Sequence, residues 1–343
     1  MPQKSVRRLW TVLLLVLPVI GGCRPERDAD APQPLIVYCS VDEGFARAVL
    51  DSFTKRTGIA LAPVFDSEAG KTTGLVNRIM REAEAGRPRA DVFWSSELFN
   101  TILLARRDLL EPYDSPAASD IPARYRDSQH RWTAVAARAR VLAFDPKRVA
   151  RGDLPTTWES LAEPRFASRL ALANPLFGTT RGHVAAMFAL WGPKRGRAFL
   201  TGLRDGGVSL VDGNSSAVRM VVDGRALLAA TDTDDVWLAQ KSGASLDLVY
   251  PDMGDGGTLL IPCSVAIVRG APHGQRARRL VDFLVSARVE RMLAKSDSRN
   301  IPVRESLRIE LGLPAPPQSA IAFGAVADAM DEAVSIAREI LIR

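Results

Sequence analysis

Histidine is scarce in this chain. The three that occur, His130, His183 and His273, lie in different regions, and none has a metal-ligand or general-base companion at a recognised spacing. No Gly-x-Ser-x-Gly elbow is present either. These absences leave catalysis without support and predict a protein that is not an enzyme. A net charge of +6 comes with no run of five basic residues and few aromatics between the arginines, which argues against a nucleic-acid surface. Gly70-Lys71-Thr72 matches the end of a phosphate-binding loop, but Phe65 stands where that loop needs its first glycine, which argues against nucleotide binding by this route.

Cysteine is also rare, and its placement carries information. Lys4, Arg7 and Arg8 precede an apolar run from Leu9 to Ile20, followed by Gly21, Gly22 and Cys23. That order is a secretory signal, and the run is shorter than the ~20 residues that span a bilayer. Val19-Ile20-Gly21-Gly22-Cys23 resembles a bacterial lipobox. Residues 1–22 then form the signal peptide, Cys23 carries a lipid, and residues 23–34, rich in Pro, Asp and Arg, are a flexible tether. The mature protein is expected outside the cytoplasm, periplasmic or on the cell surface, with Cys39 and Cys263 as two separate thiols.

What is abundant is a repeated alternation of short apolar strands and amphipathic helices. Leu35 to Ser40, Leu61 to Asp66 and Ala90 to Ser96 are uniformly apolar and each ends in a polar cluster, which suits an α/β fold with parallel strands covered on both faces. Phe45, Val49 and Phe53 stripe one intervening helix, and Leu75, Val76, Ile79, Met80 and Ala83 the next. The same pattern returns between Arg169 and Tyr250. A chain of 343 residues exceeds one ordinary core, and two long apolar runs, Trp132 to Phe144 and Gly256 to Arg269, have the length to pass between two lobes. Lobe 1 is predicted at 35–139 and 263–343, lobe 2 at 140–262, with a terminal helix from Ala325 to Leu341 bracing the first.

In such sheets the carboxyl ends of the strands open onto the ligand crevice. Those ends carry Ser40; Ser67 and Glu68; Ser96 and Glu97; Thr179 and Thr180; Asn214 and Ser215; and Asp232, Asp234 and Asp235. All are candidate ligand contacts. Several have plainer readings: Ser40 with Glu43 fits a capping box, and carboxylates at a helix start favour its dipole. Three aspartates within four residues exceed what capping needs and suit a hard cation or a protonated amine.

Tyr38-Cys39-Ser40-Val41-Asp42, Asp66 to Arg78, Ala90-Asp91-Val92-Phe93-Trp94, Thr231 to Asp235 and Gly256 to Pro262 resemble the extracellular solute-binding proteins of ABC importers, nearest the ferric-iron-binding branch. The resemblance implies a two-lobed type II periplasmic binding fold with two crossover strands as hinge. It implies a monomer that captures a small solute, ferric iron or an iron chelate, and passes it to a membrane permease and its ATPase, with no cofactor of its own beyond Fe3+ as cargo. Ferric members hold iron with an adjacent tyrosine pair where this chain reads Thr231-Asp232-Thr233-Asp234-Asp235. The alternatives are therefore a receptor for a small polar or anionic organic solute, or a secreted enzyme on the same fold, with Asp232, Asp234 and Asp235 as candidate metal ligands.

Overall fold

Alternating strands and helices whose apolar stripes must all be covered build layered sheets. The computed structural model describes residues 33–66, 73–314 and 316–342; the expected signal peptide and Cys23 lie outside them, as do Ser67 and Glu68. The compact unit from Pro34 to Arg343 begins with β1 (Leu35–Cys39), α1 (Glu43–Thr57), β2 (Leu61–Phe65), α2 (Thr73–Glu84), β3 (Val92–Ser95) and α3 (Phe99–Arg106). β1 lies between β2 and β3 and is parallel to both. α1 ends at Gly58, whose φ of 71° is left-handed and whose N–H closes on the Thr54 carbonyl, a conformation glycine takes without a side-chain penalty.

β4 (Leu110–Glu111) and β5 (Thr133–Phe144) follow, and then α4 (Pro164–Ala167), β6 (Leu170–Ala173), α5 (Gly178–Trp191), α6 (Pro193–Asp205), β7 (Ser209–Val211), α7 (Asn214–Val222), β8 (Leu228–Asp232), α8 (Thr233–Lys241) and β9 (Asp247–Val249). The chain closes with β10 (Leu260–Val268), α9 (Gly274–Leu284), α10 (Ala287–Lys295), α11 (Glu305–Leu311) and α12 (Phe323–Leu341). Between β5 and α4 the chain makes a 3-10 turn at Glu159–Ala162; Pro155 and Pro164 leave no room for a longer helix there.

Two sheets share one strand. Thr133 to Ala139 of β5 pair antiparallel with β10, which also pairs β3. From Arg140 to Phe144 the same strand pairs β8, and β6 lies between β8 and β7, parallel to both. Beside this handover, the Arg140 N–H donates to the Leu259 carbonyl and Thr258 Oγ1 to the Arg140 carbonyl, so a second segment crosses just ahead of β10. Within β5, Ala136 has a φ of 54° and the β10 register shifts opposite it, between Pro262 and Cys263. This is a β-bulge, and its N–H is taken by the carboxylate of fully buried Glu290.

The core follows the helices across both sheets. One apolar cluster runs from β1 and β3 through α3 and α5 to α12, and a smaller one lies under α7 and α8. The terminal helix therefore does more than brace the first sheet: α12 packs along α5 and α6 as well as α3. Phe323 meets Phe99 edge-on, Arg106 pairs with Asp328, and Arg197 with Glu339. Where α5 meets α3, a Cβ on Gly182 would stand 2.4 Å from the Phe99 ring. Gly182→Val is expected to lower stability by roughly 1–3 kcal/mol through overpacking in urea denaturation, and adding Phe99→Leu should recover most of the loss.

Candidate functional site

A strand shows alternate side chains to opposite faces. In the second half of β5, Ala139, Val141 and Ala143 enter the small core under α7 and α8, which turns Arg138, Arg140, Leu142 and Phe144 the other way, toward α5. On neighbouring β8, Asp232 is the register partner of Arg140. The two meet as a fully buried ion pair, Arg140 Nη1 donating to Asp232 Oδ1 at 2.8 Å. The other oxygen of Asp232 accepts from Thr179 Oγ1 at 2.6 Å and Asn214 Nδ2 at 2.9 Å, and Thr180 Oγ1 donates to Asn214 Oδ1 at 3.3 Å. The starts of α5 and α7 thus converge with the end of β8.

Arg138 joins this cluster to the first sheet. Its Nη1 donates to Asp234 Oδ2 and its Nη2 to the Ser96 carbonyl, both at 2.7 Å. Ser40 Oγ accepts from the Ser96 N–H at 2.9 Å, so the ends of β1 and β3 meet the end of β8 through one guanidinium. The capping box expected at Ser40 does not form: Asp42 is the N-cap and Glu43 pairs with Arg47. A second contact between the sheets joins Arg181 Nη1 on α5 to Asn100 Oδ1 on α3 at 3.0 Å.

Several candidates serve other ends. The Glu97 carboxylate accepts from the N–H groups of Phe99 and Asn100 at 2.8 and 3.2 Å, which caps α3. Ser215 is exposed and stands outside the network. His273 packs on buried Asp91, away from these residues, whereas His183 accepts from Arg140 within them. Cys39 and Cys263 are both buried free thiols; burial pushes Cys263 up to about 11, which keeps it protonated and unreactive. A surface cavity of about 500 Å3 lies elsewhere, lined by Arg148, Phe166 and Arg169 near the opening residues of β6 and β8.

Sequence reading missed Arg138 and Arg140. The signal was present: two arginines spaced by two inside an otherwise apolar strand must share a face, and each needs a buried counter-charge.

Oxygens of Asp232, Asp234 and Asp235 lie within 4.8 Å of one another, a spacing that a hard cation can bridge. Two guanidiniums pair with two of these carboxylates, Arg138 with Asp234 and Arg140 with Asp232, which leaves Asp235 without a counter-charge of its own. Burial would push the Arg138 pKa down, but Asp234 and Asp232 outweigh it and hold the guanidinium firmly charged. Burial raises Asp234 even beside Arg138, and burial with the charges of Asp234 and Asp232 raises Asp235 well above the carboxylate range, although Thr231 Oγ1 donates to it at 3.0 Å.

Residues 88–327 match the family model described as bacterial extracellular solute-binding protein. The chain belongs to that family. It is 25% identical over 276 residues, 79% of each chain, to the Fe(3+)-binding periplasmic protein of Serratia marcescens. It is 27% identical over 269 residues, 76% of this chain and 78% of the relative, to the major ferric iron-binding protein of Neisseria meningitidis serogroup A. Iron-bound HitA from Pseudomonas aeruginosa superposes with a TM-score of 0.78 over 90% of this chain and all of that one, at 24% identity, which establishes the fold as the two-lobed periplasmic binding type. In this solute-binding protein the ends of β1, β3 and β8 and the starts of α5, α7 and α8 meet in one buried polar cluster.

The raised pKa of Asp235 has a definite sign in stability. Its proton stays in the fold after the unfolded chain has lost it, so stability falls as pH rises from the ordinary Asp value of about 3.9 through the folded-state value. Asp235→Asn, which keeps an acceptor for Thr231, is expected to melt above the parent at pH 7, with the difference vanishing toward pH 3 in thermal scans.

Proposed function

We propose that this chain is the solute receptor of an ABC importer, closing its lobes over a small solute and handing it to a membrane permease driven by an ATPase. The observation that carries this reading is Arg138, which holds Ser96 of one lobe and Asp234 of the other with the same guanidinium. A ligand that binds there contacts both lobes at once, and its greater affinity for the closed form supplies the driving force for closure. The lobes are assigned as 35–139 with 263–343, and 140–262, with α12 lying along both. The receptor is assigned as a monomer, held at a bacterial membrane by lipid on Cys23 through the tether 23–34.

The solute is assigned as ferric iron carried with an anionic chelator. Asp232, Asp234 and Asp235 offer oxygens at cation-bridging distance, and relatives are named for ferric iron. Bare Fe3+ would draw these carboxylates away from Arg138 and Arg140 and strand two buried guanidiniums, at a cost of about 3–5 kcal/mol for each broken pair. An anionic chelator compensates them while the carboxylates turn to the metal. A second reading, a small organic anion without iron, is favoured by a different observation: the helix starts at Thr179 and Asn214 converge on Arg140, and the chain has no adjacent tyrosines.

Titration calorimetry of the soluble mature form with ferric citrate, citrate alone and ferric nitrilotriacetate separates these readings. Ferric citrate is expected to bind at least tenfold more tightly than citrate, and changing Asp232, Asp234 and Asp235 together to Asn should abolish that margin. Equal affinity for citrate with and without iron would favour the organic anion. The anchor has its own test: Cys23→Ser is expected to shift the protein from the membrane to the soluble fraction and to remove incorporation of radiolabelled palmitate.

A further inference from the structure

At the far end of the second sheet, where β6 and β8 begin, the surface opens into the cavity of about 500 Å3. Buried Leu154, Phe166 and Leu228 line it together with exposed Arg148, Arg165 and Arg169. The volume lies within the range of small-molecule sites, roughly 300–1,000 Å3. The cavity is separate from the charged cluster: β8 contributes Leu228 to one and Asp232 to the other, four strand rises or about 13 Å apart.

The three arginines are set around this cavity by the fold. Arg148 donates through Nη1 to the Ala226 carbonyl at 3.2 Å and through Nη2 to the Gly224 carbonyl at 3.1 Å, just ahead of β8. The Arg165 guanidinium lies over the Phe166 ring, 4.5 Å from its centroid, with Nε on Glu163 Oε2 at 2.8 Å. Beyond α4 the turn continues, since the N–H groups of Ser168 and Arg169 reach back to the carbonyls of Pro164 and Phe166. Arg165 and Arg169 therefore share one face at a four-residue spacing, where like charges repel. The Arg169 carbonyl accepts from the N–H groups of Leu227 and Leu228 at 2.9 and 3.2 Å, which fixes this turn against the start of β8.

Charge is out of balance here. Carbonyl groups orient Arg148 without neutralising it, and among the described residues neither Arg148 nor Arg169 has a carboxylate partner. Asp153 is the one acidic residue of the lining, against three arginines. Exposed arginines scattered over a surface need only water. Three that share a concavity with buried apolar side chains present planar donor forks of the kind that fit phosphate and carboxylate.

We propose that this cavity binds a small organic anion, a phosphate or carboxylate on a compact apolar body, as a second ligand independent of whatever the charged cluster holds. The anionic head supplies the counter-charge that Arg148 and Arg169 lack, while the body covers Leu154, Phe166 and Leu228. A bare inorganic anion would meet the first requirement and leave the apolar lining in water, forgoing the gain from its burial. A neutral body of the same shape would do the reverse.

Titration calorimetry of the soluble mature form with phenyl phosphate, benzoate, inorganic phosphate and benzyl alcohol tests this. Phenyl phosphate or benzoate is expected to bind at one site, at least tenfold more tightly than either inorganic phosphate or benzyl alcohol, and to do so unchanged in saturating ferric citrate. Arg169→Gln, an exposed change, should keep the parent Tm and weaken that binding fivefold or more. Crystals of the unmodified protein soaked in the tighter probe should show its anionic group within hydrogen-bond distance of the Arg169 guanidinium. Competition with ferric citrate, affinity no better than that of inorganic phosphate, or a soaked cavity without probe density would overturn the proposal. Binding confined to phosphatidylglycerol vesicles, with neither soluble anion held, would overturn it as well.

Discussion

The charge on Arg138 is the constraint on which the arrangement turns. A guanidinium cannot shed its proton in a protein, and this one stands in the strand that the two sheets share, mostly out of water. It must find anionic or carbonyl oxygens wherever the strand places it. It takes them from both sides, a backbone carbonyl at the end of β3 and a carboxylate at the start of α8. The strand ends are drawn together for that reason, and Asp232 with Arg140 repeats the solution one alternation further along. Such pairs add little to stability in themselves, because desolvation offsets most of the attraction. Their effect is on specificity: any solute that enters must replace the charges it displaces.

Apolar contact holds the rest in place. The core passes without interruption through α3, α5 and α12, and the ion pairs along α12, Arg106 with Asp328 and Arg197 with Glu339, are exposed and worth at most about 1 kcal/mol each. Because α12 packs along α3 of the first sheet and along α5 and α6 of the second, any motion that parted the two sheets would expose part of that core.

Much of this was legible in the residues. The parallel strands announced themselves by length and uniform apolarity, and the polar clusters at their ends marked the seam, because the direction of a parallel sheet fixes which end is open. The trio Asp232, Asp234 and Asp235 was visible as an excess over what capping requires. Arg138 and Arg140 stayed hidden inside a stretch recognised by its apolar average, since an average discards the alternation that carries the information. Glu97 read equally well as a ligand contact or a cap, and its carboxylate takes the N–H groups that open α3, a detail of a few bond rotations that spacing does not encode. α11 escaped for a similar reason: seven residues are too few to show a periodicity.

The bulge at Ala136 sets the parity of β5. In an unbroken ladder, Arg138 would fall on the side that Ala134 occupies; one unpaired residue moves it to the side of Val135 and Cys263 instead. Everything downstream inherits that single offset, so the sidedness of both arginines rests on an alanine that touches neither. A chain one residue shorter at this point would keep every amino acid of the charged cluster and yet turn Arg138 and Arg140 away from their aspartates, toward the aliphatic layer beneath α7 and α8.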